Sequence, residues 1–203
     1  SILEERIKSC DEKSVEFVAY NTSLFSKIPS DYWNEWDAFA ERGESHKQIY
    51  EKILQEIQKN KPQRTLVVGC GIGTFLKILR EKSFDAEGIE ANERSIRKAR
   101  KEGLKVQHIP LHQLKKRETY DCIIEPGVLS SSVVERDYAL KCLPLLKQAL
   151  CLGGLLIHVP YTRSLFCSQD FQSQGFSLEA MSVPKNFFNW NYPKQWYLAR
   201  RSH

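Results

Sequence analysis

Short apolar runs and longer amphipathic segments alternate along most of this chain. Apolar runs bounded by turn residues predict strands, whereas apolar residues spaced three and four apart predict helices. The pattern predicts strands near 64–69, 85–90, 104–109, 120–125 and 154–160, and helices near 73–82, 92–102 and 135–150. Alternation of this kind builds a parallel sheet with helices on both faces. The chain is therefore predicted to be an α/β protein.

Further elements are predicted on either side of this alternation. Ser45 is the predicted N-cap of a helix that precedes the first strand. The buried stripe of that helix is formed by Ile49, Ile53, Leu54 and Ile57. Strand-like runs at 176–183 and 195–200 follow the alternating region. Pro144 lies inside the helix near 135–150 and is predicted to kink or split it.

The first predicted strand ends in three glycines at alternate positions, Gly69, Gly71 and Gly73. Glycine permits positive φ and removes the Cβ that blocks close approach of a ligand to the main chain. The helix that follows adds free N–H donors. Dinucleotide sites have the spacing G-x-G-x-x-G. Here the third glycine comes one residue early and Thr74 occupies the dinucleotide position, which argues against an NAD-linked oxidoreductase.

The G-x-G-x-G turn resembles motif I of the class I (Rossmann-like) S-adenosylmethionine-dependent methyltransferases. Three later stretches also resemble family landmarks: 84–90 is a second strand ending in an acid, 120–129 is similar to motif IV, and 150–157 is similar to the turn before the fifth strand. The resemblance covers roughly residues 45–201. It implies a doubly wound, mostly parallel seven-stranded sheet whose last strand is antiparallel. It also implies S-adenosylmethionine as the cofactor.

The resemblance assigns roles to individual residues. The glycines are expected to contact the cofactor through their main chain, and Glu90 to accept hydrogen bonds from two ribose hydroxyls. Leu111 is expected near the adenine, and Glu125 near the methionine part of the cofactor or a substrate proton. The predicted cofactor-binding residues are Gly69, Cys70, Gly71, Gly73, Glu90, Ala91, Leu111 and Glu125. The alternatives are a structural turn for the glycines, a solvated acid for Glu90, ordinary core for Leu111 and a loop carboxylate for Glu125.

The chain departs from the family pattern in three places. Val67 and Pro110 stand where many members carry acids that contact the cofactor. Ser130 and Ser131 stand where many small-molecule members show Glu-His. The polar anchoring of the cofactor is therefore thinner than is usual in the family.

Methyl transfer from a sulfonium is an in-line displacement with a neutral leaving group, so positioning supplies most of the acceleration and a base is optional. The candidate catalytic residues are Glu125, His158 and Tyr161, with His112 as a further candidate base. Each of these side chains can instead be structural. A cluster of aromatic residues either walls a substrate pocket or covers the end of the sheet: Phe187, Phe188, Trp190 and Tyr192.

Composition narrows the class of protein. Residues 1–50 carry a net charge of −4. Because the net charge of the whole sequence is +5, residues 51–203 carry +9. This basic excess is either solvated surface or an attraction to nucleic acid or another anion. The chain has six cysteines without a zinc-type spacing, and no metal site is predicted. Neither a signal peptide nor an apolar run of about 18 residues is visible, so we expect a cytoplasmic protein with reduced thiols.

The resemblance implies a helical, aromatic lid over 1–44 and a cofactor-binding domain over 45–203. The alternative for 1–44 is an aromatic helix face that packs on the core. The resemblance implies an S-adenosylmethionine-dependent methyltransferase that methylates oxygen or nitrogen of a small molecule. An RNA or protein substrate is the alternative, although the chain has neither an N-P-P-Y motif nor a Pro-Cys nucleophile in motif IV. A non-catalytic interaction subunit with the same fold is a further alternative. Nothing in the sequence predicts an oligomeric state.

Overall fold

A computed structural model describes residues 44–130, 133–161, 164–181 and 196–202. Residues 1–43 of the predicted lid lie outside these ranges, and so does the aromatic cluster at 187–192. In the described part of the chain, seven strands form one sheet. They are β1 (Thr65–Val68), β2 (Ala86–Glu90), β3 (Val106–His108), β4 (Tyr120–Pro126), β5 (Leu150–Val159), β6 (Phe176–Met181) and β7 (Trp196–Arg201). The strand order is β3-β2-β1-β4-β5-β7-β6.

The direction of the strands confirms the predicted doubly wound topology. β1 pairs in parallel with β2 and β4, and the outward neighbours β3 and β5 are also parallel. β7 is antiparallel to both β5 and β6. From β1 the polypeptide adds β2 and then β3 on one side, and it then crosses back to place β4 on the other side of β1. Ligands bind at such a reversal of strand order, outside the carboxyl ends of the strands.

Helices cover both faces of the sheet. They are α1 (Glu44–Asn60), α2 (Thr74–Glu81), α3 (Glu93–Lys101), α4 (Arg136–Ala149) and α5 (Ser168–Ser173). A short 3₁₀ helix, Leu111–Gln113, follows β3. On one face, α1 buries Ile49, Ile53 and Ile57 completely, as its stripe predicted. On the other face, α4 buries Tyr138 and Leu146. Because every residue of β1 is buried between these layers, the central strand is a rigid base for the turn that follows it.

Two local predictions differ from the structure. Pro144 was predicted to kink or split its helix, and it does not split it, because α4 continues through it. Pro144 is exposed, so water can reach the backbone on that side, where Pro144 lacks the N–H that would bond to the Leu140 carbonyl. β5 begins at Leu150, four residues earlier than predicted. A register shift between Tyr120 and Cys122 lets the pairing with β4 include Leu150.

Candidate functional site

A cleft opens at the carboxyl ends of β1, β2 and β4, where the strand order reverses. It encloses about 900 Å³ of empty space, including its open mouth. The glycine turn, the end of β2 and the residues after β4 each supply part of the wall. The cleft therefore lies where the topology predicts a ligand.

The glycine turn presents bare main chain to this cleft. Gly69, Gly71 and Gly73 have φ of +62°, +54° and +87°, in the left-handed region that favours glycine. Gly69 and Gly71 line the cleft, as does Cys70 between them. Gly73 does not, and a Cβ built on it would lie 2.3 Å from Leu104 Cδ1. Close packing against Leu104 at the start of α2 therefore accounts for a glycine at position 73.

Glu90 ends β2 and holds the glycine turn in place. Its Oε2 accepts a hydrogen bond from the Gly71 N–H at 2.8 Å. Its Oε1 accepts from the N–H groups of Ala91 at 2.7 Å and Asn92 at 2.8 Å. The side chain is 9% exposed and lines the cleft together with Ala91 and Asn92. A fixed carboxylate beside bare main chain suits a ligand with hydroxyl groups, such as a ribose.

The wall beyond Glu90 is mostly apolar. Pro110 and Leu111 follow β3 and line the cleft, with Leu111 at the start of the 3₁₀ helix. Such a surface suits the flat face of an aromatic ring system. His112 lies outside the lining, with its Nδ1 3.2 Å from the Tyr138 hydroxyl. Burial lowers the pKa of His112, so its ring is neutral at physiological pH. Its position away from the cleft does not support a role as a base.

Two tyrosines close the opposite end of the cleft. Tyr50 on α1 stacks on Phe75 with ring centroids 4.8 Å apart, and Tyr161 follows β5. Their hydroxyls are hydrogen-bonded to each other, and burial raises the pKa of both phenols well above the ordinary value. Both are therefore neutral phenols at physiological pH. Sequence reasoning missed Tyr50, although its position next to the buried Ile49 was a usable signal.

Gly127 explains how Tyr161 fits. Gly127 has φ of +88°, and a Cβ built on it would lie 2.6 Å from Tyr161 Cδ2. The missing side chain therefore lets the tyrosine ring lie directly against the main chain that follows β4. Gly127 lines the cleft together with its neighbours Pro126 and Val128.

Glu125 and His158 lie behind this wall instead of in the cleft. They are 0% and 1% exposed, and they face each other across β4 and β5. Glu125 Oε2 is 2.6 Å from His158 Nδ1. Neither side chain lines the cleft, so the predicted contacts of Glu125 with a cofactor and of His158 with a substrate are not supported. Each side chain is instead held by the other in the interior.

The described wall of the cleft carries little formal charge. Among the lining residues in the described ranges, Glu90 carries the only formal charge at neutral pH, and no lysine or arginine contributes to the wall. In the same ranges, no three His, Cys, Asp or Glu side chains are grouped to hold a metal ion. No helix of the described chain has the length and apolar character needed to cross a membrane.

Comparisons with known proteins agree with this geometry. Magnesium protoporphyrin IX methyltransferase of Synechocystis PCC 6803, crystallised with S-adenosylmethionine, is 18% identical with a TM-score of 0.66, over 90% of this chain and all of that one. An amino pentose methyltransferase of Micromonospora echinaspora, whose structure has S-adenosylmethionine bound, is 14% identical with a TM-score of 0.65, over 83% of this chain and 96% of that one. The 1,6-didemethyltoxoflavin-N1-methyltransferase of Burkholderia thailandensis is 14% identical with a TM-score of 0.62, over 89% and 88%.

At these identities the structural comparisons show a shared fold. No curated protein sequence matches the chain. A family model described as a methyltransferase domain matches residues 39–189, which is about three quarters of the sequence. The chain therefore belongs to the methyltransferase domain family, and it is a class I methyltransferase that uses S-adenosylmethionine as methyl donor.

Proposed function

We propose that this methyltransferase transfers a methyl group to oxygen or nitrogen of a small molecule, and that the cleft between β1 and β4 holds the methyl donor. The observation that carries the proposal is the Glu90 carboxylate, fixed at the cleft wall by three main-chain N–H groups. One of these donors belongs to the glycine turn itself. The bond from Gly71 therefore ties the shape of the turn to the position of the carboxylate.

The residues present fit the donor molecule part by part. Glu90 would accept hydrogen bonds from the two ribose hydroxyls. The main chain of Gly69 and Gly71 would lie along the part of the molecule that joins ribose to methionine. Pro110 and Leu111 would cover the adenine. When bound, the donor supplies a methyl group on a positively charged sulfur, which leaves as a neutral thioether.

The tyrosine end of the cleft favours a small and uncharged or cationic acceptor. Tyr50 and Tyr161 are neutral phenols that can donate or accept hydrogen bonds, and no described cation is there to neutralise an acid. Because a buried anion needs a partner, an anionic acceptor is disfavoured. By positioning the acceptor, the phenols can contribute to an in-line reaction without taking up a proton.

An RNA substrate has less support from the arrangement of charges. Arg117, Lys147 and Arg201 line a groove at the amino end of β4, which is the opposite edge of the sheet from the cleft. A phosphate chain bound there does not lead into the cleft. The solved neighbours include methyltransferases of two small molecules, magnesium protoporphyrin IX and 1,6-didemethyltoxoflavin. These observations favour a small-molecule acceptor.

Calorimetric titration tests the proposal. The protein should bind S-adenosylmethionine and its demethylated product, S-adenosylhomocysteine, at one site per chain. A panel of phenols, amines and carboxylic acids is then incubated with the protein and S-adenosylmethionine, and release of S-adenosylhomocysteine is measured. Turnover with a phenol or amine, and none with unmodified RNA, is the expected result. Failure to bind the donor would instead favour the non-catalytic subunit, and turnover with RNA would favour the nucleic-acid alternative.

A further inference from the structure

A buried chain of hydrogen bonds lies directly behind the tyrosine end of the cleft. Glu125 Oε2 is 2.6 Å from His158 Nδ1, and His158 Nε2 is 3.0 Å from Ser164 Oγ. Ser164 Oγ accepts from the Phe166 N–H and donates to the Phe166 carbonyl, both at 3.1 Å. The other carboxylate oxygen, Glu125 Oε1, accepts from the Leu129 N–H at 2.6 Å. The function proposed above uses none of these groups directly.

This row of hydrogen bonds closes the bases of two loops whose tips line the cleft. The bond from Leu129 to Glu125 spans four residues, and the three residues between them, 126–128, all line the cleft. The contact from His158 to Ser164 spans six residues and encloses Tyr161, which also lines the cleft. Each loop is thus fastened at its base by the same row of buried side chains.

Further bonds join the two loops to each other. The Gly127 N–H donates to the Val159 carbonyl at 2.9 Å. The Tyr161 N–H donates to Ser130 Oγ at 3.0 Å, and Ser130 is fully buried. The position of Tyr161 against Gly127 therefore depends on both loops being held together.

Counting donors and acceptors limits where the protons in this row of hydrogen bonds can lie. Ser164 Oγ has a single proton, which it donates to the Phe166 carbonyl. His158 Nε2 then donates to Ser164 Oγ, and the proton in the short Glu125–His158 contact lies on Nδ1 when the pair is ionised. With a proton on both ring nitrogens, the buried pair has no net charge and every polar atom in the row has a partner. A histidine in this state has no lone pair with which to accept a proton from a substrate.

We propose that Glu125, His158 and Ser164 form an internal anchor, in which a doubly protonated His158 positions the two loops that carry residues 126–128 and Tyr161. These three are positioning residues, and none of them contacts the reacting atoms. The proposal rests on the proposed function, because it concerns the wall of the same cleft. It also replaces the expectation that His158 serves as a general base.

Selective ¹⁵N labelling of histidine gives the first test. At pH 7 both ring nitrogens of His158 should show the similar chemical shifts of protonated nitrogens, and a His158→Gln variant identifies the signals. The Glu125→Gln substitution keeps the side-chain shape and removes the carboxylate, so it should convert His158 to a neutral tautomer with one strongly shifted nitrogen. A neutral ring in the wild-type protein would overturn the proton assignment.

The second test measures whether the anchor acts on the cleft. Ser164→Ala and Glu125→Gln should each weaken S-adenosylmethionine binding about fivefold or more, since loss of one buried hydrogen bond of ordinary strength corresponds to roughly this factor. The amides of Leu129 and Tyr161 should exchange with solvent faster. Ser164→Thr, which keeps the hydroxyl, should bind like the wild type.

Tyr120→Phe is the matched control for stability. Tyr120 is 1% exposed on the same strand as Glu125, and its hydroxyl donates to Glu87 Oε1 at 2.6 Å, at the end of β4 remote from the cleft. This substitution should lower the melting temperature without changing donor affinity. If Ser164→Ala and Glu125→Gln behave like Tyr120→Phe, the positioning role is wrong. If the wild type binds no donor, the proposed function fails, and the ¹⁵N and exchange measurements still decide on the anchor.

Discussion

Replacing Glu90 by glutamine is the perturbation whose outcome follows most directly from the structure. Glutamine keeps the length and shape of the side chain. Its single oxygen can still accept from Ala91 and Asn92, as Oε1 does in the wild type. Its NH₂ group then faces the Gly71 N–H, where the wild type has an acceptor at 2.8 Å. One charge-assisted bond is lost and two donors are brought together in the glycine turn.

The expected magnitudes follow from these contacts. Hydrogen bonds to a charged group contribute about 1.5–3 kcal/mol, so loss of the carboxylate should weaken S-adenosylmethionine binding about 10- to 100-fold. An unpaired N–H at a site that is 9% exposed should reduce the free energy of unfolding by about 1–2 kcal/mol. Glu90→Ala removes the acceptor from all three N–H groups and should have the larger effect on both quantities.

Glu87→Gln is the matched control. Glu87 lies on the same strand, accepts from Gln107 Nε2 at 3.0 Å and from the Tyr120 hydroxyl, and does not line the cleft. The Glu87→Gln substitution removes the same charge from β2 as Glu90→Gln does. Calorimetry on both variants therefore separates loss of the ligand contact from a general change in charge. We expect wild-type affinity for Glu87→Gln. Wild-type affinity for Glu90→Gln, with both variants folded by thermal melting, would refute the assignment of Glu90 to the ribose.

Three further predictions concern packing and protonation. Gly127→Ala should lower the free energy of unfolding by about 2 kcal/mol and displace Tyr161, because the new methyl group meets its ring at 2.6 Å and φ is +88°; an unchanged melting temperature would contradict this. Pro144→Ala should stabilise the protein by about 1 kcal/mol in a denaturant titration, because an exposed helix position regains its N–H. Burial raises the pKa of Cys122 and Cys142 to about 12. The folded protein therefore keeps thiol protons that the unfolded chain releases near the ordinary pKa of cysteine. The free energy of unfolding should fall as pH rises from about 9 towards 12. Both thiols should also resist a disulfide reagent at pH 8 until the chain unfolds.

The order of elements was accessible from the sequence because burial imposes a simple pattern. Strands enclosed by helices on both faces, such as β1, must be apolar along their whole length, and this makes them visible. The glycine turn and the acid at Glu90 were visible for a related reason: a tight approach of main chain to ligand restricts which residues can occupy these positions. These local constraints do not depend on knowing how distant segments pair.

Other parts of the site depend on relations that one sequence does not display. Glu125 and His158 lie 33 positions apart, and they meet because of the register between β4 and β5. Considered separately, each resembled a candidate catalytic group. Gly73 follows the same argument, since its partner Leu104 lies 31 positions further along the chain, between α3 and β3. Pro144 was misjudged because helical periodicity does not show whether the missing N–H faces water or the interior.

A crystal structure with S-adenosylhomocysteine bound tests the central claim most directly. We predict that both ribose hydroxyls donate to Glu90, that the sulfur lies at the end of the cleft walled by Tyr50 and Tyr161, and that Gly69 and Gly71 contact the ligand only through their main chain. A nucleoside located elsewhere on the protein, or a ribose held without the carboxylate, would contradict the account.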